Sequence, residues 1–181
     1  MKLLNIVNDK NKILRQKSED VTFPLSNEDK EIIKEIITYL TNSQNLELAD
    51  KYDIIPGMGL AFIQLGIPKK IFVIVHEYED NKFKNYVVIN PKILSRSAEM
   101  ICVGAGEACL SVTKDYEGIV PRHARLKVEC FDENGEKQIY RVREELSIAF
   151  AHEIDHLDGK LYYDRINKKD PFEKKGKIRE L

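Results

Sequence analysis

The pentad His152-Glu153-Ile154-Asp155-His156 sets two imidazoles and a carboxylate at the spacing that metal-assisted hydrolysis uses. On a helix, residues four apart lie one turn apart on the same face. Both rings can then hold one cation, while Glu153 reaches a water on the open coordination position. The competing reading is a surface helix with an i,i+4 His pair and an unrelated Glu. The flanks decide against it. Leu146, Ile148, Ala149, Phe150, Ala151, Ile154 and Leu157 make the segment apolar nearly all round, the pattern of a buried helix. Left unpaired in such a place, two imidazoles and a carboxylate would cost on the order of several kcal/mol, and a metal with its water satisfies all three.

Two His do not complete a site. Zinc peptidases with this signature take a third ligand downstream, but no His follows His156. The acids there, Asp158, Asp164, Asp170, Glu173 and Glu180, fall in the helix stop, a short strand or a charged tail. Upstream, Gly106-Glu107-Ala108-Cys109-Leu110-Ser111 offers the Cys109 thiolate among small residues. Cys102 and Cys130 compete with it, but both lie in apolar, strand-like surroundings and read as small packing hydrophobes.

These groups need elements to carry them. Ser26 followed by Asp29 resembles a capping box, and Ile32, Ile33, Ile36, Ile37 and Leu40 form an apolar stripe at helical spacing. Residues 42–56 read as a polar connection. The Gly-rich turn Gly57-Met58-Gly59 follows, then a β-branched strand over 71–75 and a second over 86–89, joined through a turn near Asp80-Asn81. Strands 126–131 and 137–142 flank Asn134-Gly135, a dipeptide suited to a tight hairpin turn. The buried helix spans about 144–158, with Gly159 as its stop. Strands precede and surround it, so the expected class is α+β, mainly antiparallel sheets around a central buried helix. The charged stretch from about residue 168 is expected to be a loose, peripheral tail.

Composition narrows the rest. With 181 residues the chain is expected to form a single domain, 1–181, large enough to host an internal site. Its formal net charge of -1, with Lys and Arg interspersed among acids, gives no basic stripe for nucleic acid. Apolar runs fall short of a bilayer span, and Met1-Lys2-Leu3-Leu4-Asn5 is too soon polar for a signal peptide. A soluble, cytoplasmic protein with three reduced cysteines is expected.

Three motifs, in order, resemble the peptide deformylases, in the form common in Gram-positive and related bacteria. Gly57-Met58-Gly59-Leu60-Ala61-Phe62-Ile63-Gln64 is similar to the family's G-x-G-L-A-A-x-Q. Glu107-Ala108-Cys109-Leu110-Ser111 resembles E-G-C-L-S, and residues 152–159 resemble H-E-x-D-H-L-x-G. The likeness runs on through Val120-Pro121-Arg122-His123 and Tyr162-Tyr163-Asp164-Arg165-Ile166. Two departures stand out: Phe62 where the family usually has Ala, and Ala108 where it usually has Gly. Phe62 either faces the core or narrows the cleft. Ala108 adds one methyl, costly only if its backbone needs positive φ.

The resemblance implies an enzyme, of class EC 3.5.1.88, that removes formyl from the N-terminal formylmethionine of new proteins, with broad tolerance at the positions that follow. It implies that Cys109, His152 and His156 hold one divalent metal and that Glu153 is the base. The Gln64 amide and the Leu110 backbone N–H would steady the developing oxyanion. Gly57, Gly59 and Leu60 would lie along the substrate backbone, Ile148 and Ala149 would line the methionine pocket, and Glu107 with Arg122 would support the metal loop. Taken alone, Gln64 also reads as a surface or capping residue, and Ile148 and Ala149 as plain core. Ligand chemistry alone suggests zinc. The resemblance implies Fe2+ instead, with Zn2+, Ni2+ or Co2+ as substitutes. Formylmethionyl nascent chains, a transient ribosome encounter and a monomer belong to the same implication. The alternatives are an H-E-x-x-H zinc endopeptidase and a homologue that binds metal without turnover.

Overall fold

Ser26 starts the first long helix as the sequence predicts. In the computed structural model, which describes residues 3–80, 82–104, 106–114, 116–174 and 176–181, α1 runs Asn27–Ser43 and the Ser26 hydroxyl accepts from Asp29 N at 3.1 Å. The box is half made, because the Asp29 carboxylate takes Lys69 Nζ at 2.7 and 2.8 Å. Ile33, Ile36 and Leu40 are buried along the stripe. A short 3-10 turn, Lys12–Arg15, precedes this helix.

The connection expected over 42–56 holds a helix, α2 (Leu46–Tyr52). Only Ala49 of its residues is buried, so it carries no apolar period to read. The Asn45 side chain caps it by accepting from Leu48 N at 3.1 Å, and Asp53 closes it in the left-handed region at φ 51. The polar residues that end α1 have a second use. Gln44 Nε2 donates to Gly57 O at 3.2 Å and Val75 O at 2.9 Å, and Gly57 N donates to Ser43 Oγ at 3.1 Å. They pin the Gly-rich turn in place.

That turn opens β1 (Gly59–Ala61), and the chain then makes a 3-10 turn at Phe62–Leu65. The strands predicted at 71–75 and 86–89 are longer: β2 is Ile71–Glu79 and β3 Lys82–Arg96. Their exposed outer halves carry no apolar alternation. Of the expected turn at Asp80-Asn81, Asn81 lies outside the described residues. Then follow β4 (Met100–Cys102), β5 (Arg122–His123), β6 (Arg125–Phe131) and β7 (Lys137–Arg143). The β6–β7 hairpin has the predicted position, with Gly135 at φ 81. Last comes β8 (Ile178–Glu180), which corrects the loose tail expected from about 168. Ile178 is buried, β8 pairs in parallel with β4, and Arg179 binds Glu99 and Glu144. Three residues are too short for a strand period to show.

Five strands form an antiparallel sheet in the order β1-β2-β3-β6-β7, and a second sheet has the order β5-β4-β8. Because side chains alternate along a strand, β2 feeds two cores. Phe72 and Ile74 pack with helix α3 (Glu144–Leu157), while Ile71, Val73 and Val75 pack with α1. Phe150 of α3 anchors the first core edge-on to Phe72 at 5.5 Å and Tyr86 at 5.6 Å. The architecture is α+β, with mainly antiparallel sheets about a buried helix. Among the described residues no helix is long and apolar enough to cross a membrane.

Candidate active site

Half of the residues of helix α3 are buried, Glu153 and His156 among them, and the surface-helix reading of its His pair fails. His156 is 1% exposed and Glu153 4%. The ring centroids of His152 and His156 lie 4.9 Å apart, one turn from each other. The connection from β4 to β5 brings Cys109 against them. Its Sγ lies 3.3 Å from His156 Nε2, and one ligand atom from each of Cys109, His152 and His156 falls within 4.8 Å of the others. Among the described residues these three form the one such group. Three of the five downstream acids pair with cations elsewhere: Asp164 with Arg15, Asp158 with Lys160, Glu180 with Lys174.

This donor set fits a divalent cation. Glu107 Oε2 sits 2.9 Å from His152 Nδ1, which leaves Nε2 as the ligating nitrogen in a carboxylate-histidine-metal arrangement. Burial opposes the charged ring, but the hydrogen bonds it donates to Cys109 and Glu107 hold the His152 pKa well above its ordinary value. Burial, then the charge on His152, drives His156 well below. A proton and a cation therefore compete for the same cluster.

Behind the ligands lies a buried ionic chain. Arg122, from β5, forks onto Glu107 at 2.7 and 2.9 Å and reaches Asp155 at 2.5 Å. Asp155 in turn takes both arms of Arg165 at 2.5 Å. Burial would raise Glu107 and Asp155, but their cationic partners outweigh it and both carboxyls are lowered. The pairing of Glu107 with Arg122 was implied by the family resemblance. The roles of Asp155 and Arg165 were not, although an acid on an otherwise apolar helix signals a hidden cation.

Glu153 is the exception to this pairing. Its Oε2 is buried with no hydrogen-bond partner among the described residues, and burial pushes its carboxyl up to about 7, with His152 opposing the rise and Glu107 adding to it. Gln64 is 1% exposed, which excludes a surface role. Its Oε1 accepts from Ala61 N at 2.8 Å, and its Nε2 donates to Ser111 Oγ at 3.1 Å and lies 3.7 Å from Cys109 Sγ. Ser111 was not singled out in the sequence, where a Ser beside the ligand loop has no distinguishing signal.

These groups open on a cleft of about 650 Å³ whose walls include Gly57, Gly59, Leu110, Ile148 and Ala149. The two glycines serve the site's own side chains. A Cβ at Gly59 would stand 2.5 Å from Glu153 Oε1, and one at Gly57 would stand 2.8 Å from Leu110 Cδ1. Leu60 is placed differently from the others, its side chain being fully buried in the α1 core and absent from the cleft wall. Phe62 packs in that same core, so the largest departure leaves the cleft its shape. Ala108 lies outside the positive-φ set and adds its methyl without backbone strain.

The family model for polypeptide deformylase matches residues 3–172. The chain belongs to that family. A peptide deformylase of Halalkalibacterium halodurans is 44% identical over 90% of this chain and 89% of its own length. One from Levilactobacillus brevis is 45% identical over 93% and 92%. The solved peptide deformylase of Thermus thermophilus superposes with a TM-score of 0.72 at 30% identity, covering 92% of this chain and 87% of that one. Against this deformylase background Phe62 and Ala108 are variations outside the ionisable groups of the site.

Proposed function

We propose that this chain hydrolyses the formamide of N-formylmethionyl peptides, releasing formate and a free N-terminal methionine. The observation that carries the reading is the convergence of Cys109, His152 and His156 beside a buried, unpartnered Glu153 carboxylate. The three side chains would hold one divalent ion, ferrous iron. When bound, it would supply Lewis acidity, polarising the formyl carbonyl and bringing a water within reach of deprotonation near neutral pH.

The protein's own groups do the rest. Glu153 takes a proton from water as the new C–O bond forms at the formyl carbon, and hands it to the methionine nitrogen as the C–N bond breaks. A carboxyl near 7 suits both directions of transfer. Gln64 has two N–H donors, one given to Ser111 Oγ and the other directed at Cys109 Sγ; the second would serve the formyl oxygen, together with the Leu110 backbone N–H, once the thiolate is engaged by the metal. Gly57, Gly59 and the Leu60 backbone border the peptide, while Ile148 and Ala149 form the apolar wall against the methionine side chain. Residues 1–181 act as one catalytic unit, a cytoplasmic monomer that meets the ribosome transiently to find its substrates.

The test is formate release from formyl-Met-Ala-Ser by anaerobically purified protein, with metal content read on the same sample and an internal peptide bond as control. Formate with about one equivalent of iron is expected. Glu153→Ala should retain the metal and lose turnover; normal turnover would sink the mechanism. Cys109→Ser should weaken or change metal binding, and unaltered metal content and activity would mean that the third ligand is another group.

A further inference from the structure

Residues 7–18, ahead of α1, bond to all three of the segments that carry the site. Val7 N donates to Gln64 O at 2.8 Å, and two residues on Asp9 N donates to Ser111 O at 2.7 Å. The 3-10 turn Lys12–Arg15 then sinks Leu14, fully buried, into the core that holds Phe150 and Leu157 of α3. Beyond it, Ser18 N donates to Leu157 O at 2.8 Å, one residue past His156. Gly159 is a close fit here too: at φ 72, a Cβ on it would stand 2.6 Å from Arg15 O. The bonds to Gln64 and Ser111 come from backbone N–H groups, which any residue but proline supplies, so no residue type marks them in the sequence.

The first two bonds fall on the residues around the oxyanion donors. Val112 N donates to Cys109 O at 3.0 Å, closing a turn with Leu110 and Ser111 at its centre. Peptide units are planar, so a turn gripped at Ser111 O also has the direction of its Leu110 N–H restricted. Gln64 is held likewise, at its carbonyl by Val7 and at its side chain by Ala61 N and Ser111 Oγ. The result is a closed ring. Val7 and Asp9 join the backbones of Gln64 and Ser111 on one side, and the side chains of Gln64 and Ser111 meet at 3.1 Å on the other. Neither Val7 nor Asp9 lines the cleft.

We propose that the Val7 and Asp9 backbone N–H groups are positioning groups for the reaction, setting the Gln64 amide and the Leu110 N–H where a developing oxyanion needs them. The inference rests on the deformylase reading and extends it to a segment outside the three motifs. The formyl oxygen gains charge only in the transition state, so a donor out of place lowers kcat and leaves substrate and metal binding alone. Bonds with a purely structural role would instead lower stability and leave the folded protein's kcat as it was.

The test deletes each donor without touching a side chain, by exchanging Val7 and Asp9 for the matching α-hydroxy acids, which turns an amide into an ester. The same exchange at Asn8, whose N–H has no acceptor among the described residues, is the reference. With formyl-Met-Ala-Ser, the double exchange at 7 and 9 should lower kcat roughly tenfold to a hundredfold and keep KM within about twofold of the parent. Metal content, and the absorption bands of the cobalt-loaded protein, should match those of the parent and of the Asn8 ester. An unchanged kcat, or a fall shared by the Asn8 ester, would overturn the proposal while the parent's formate upheld the deformylase reading. So would a fall in kcat that tracks lost metal or altered cobalt bands, which would make the segment a support of the metal loop alone. Absence of formate from the parent would overturn both.

Discussion

Arg122 holds the site together although it touches none of the reacting groups assigned above. Its side chain is 2% exposed and lies between two carboxylates, Glu107 and Asp155, that are almost equally hidden. Removing one partner of a buried ion pair leaves an uncompensated charge and costs about 3–5 kcal/mol. Arg122→Ala should therefore lower the melting temperature sharply, and it should weaken metal binding about 10- to 100-fold by releasing the Glu107 that orients His152. Arg122→Lys keeps the charge but cannot fork, so calorimetry and metal titration should place it between the two. At this scale the sequence was informative about identity and poor about partners. Cys109 was separable from Cys102 and Cys130 by its neighbours, and the structure buries both competitors, with burial pushing Cys130 up to about 12. The spacing of Gly57 and Gly59 did not reveal that each makes room for a side chain distant in the chain. Such contacts are fixed by packing.

Among the elements, those with a period or a punctuating residue were legible. The apolar stripe of α1, the Asn134-Gly135 turn and the apolar residues of α3 around the His pair each carried their own signal. Helix α2 and strands β4, β5 and β8 are too short or too exposed to do so, and their existence depends on partners far along the chain. The β6–β7 hairpin shows how a polar residue reinforces a legible element. Asp132 Oδ1 accepts from the backbone N–H of Asn134 at 2.9 Å and Glu136 at 3.0 Å, and Oδ2 from Gln138 at 2.8 Å. Burial raises this carboxyl, the three donors outweigh it, and its pKa is lowered. The stabilisation is thus complete above the unfolded value, about 3.9, and is lost as pH falls through the lower folded value. Urea denaturation should find Asp132→Ala destabilised at neutral pH, with the difference from the parent shrinking in acid; a gap independent of pH would mean that the carboxylate is not what holds the turn.

Across the molecule, the proposed ion joins two bodies, the loop between the strands of the small sheet and the helix that fills the first core. A ligand bound only by the folded chain stabilises by about 2.7 kcal/mol at a free concentration one hundred times its dissociation constant. Chelation should lower the melting temperature and returning the metal should restore it, and a transition indifferent to chelator would show that the three donors are held without it. The α+β class followed from the order of strands and helices, whereas the division of one sheet between two cores required the register of β2. The small sheet has its own consequence for the order of synthesis. Met100 pairs with His123 on one side and with Ile178 on the other. The first partner follows soon after it; the second is made only once α3 and all the ligands already exist. Until residues 178–180 emerge, β4 presents an open edge, which is a template for pairing with another chain. The strand from which the Cys109 loop departs is therefore among the last parts of the growing protein to be covered.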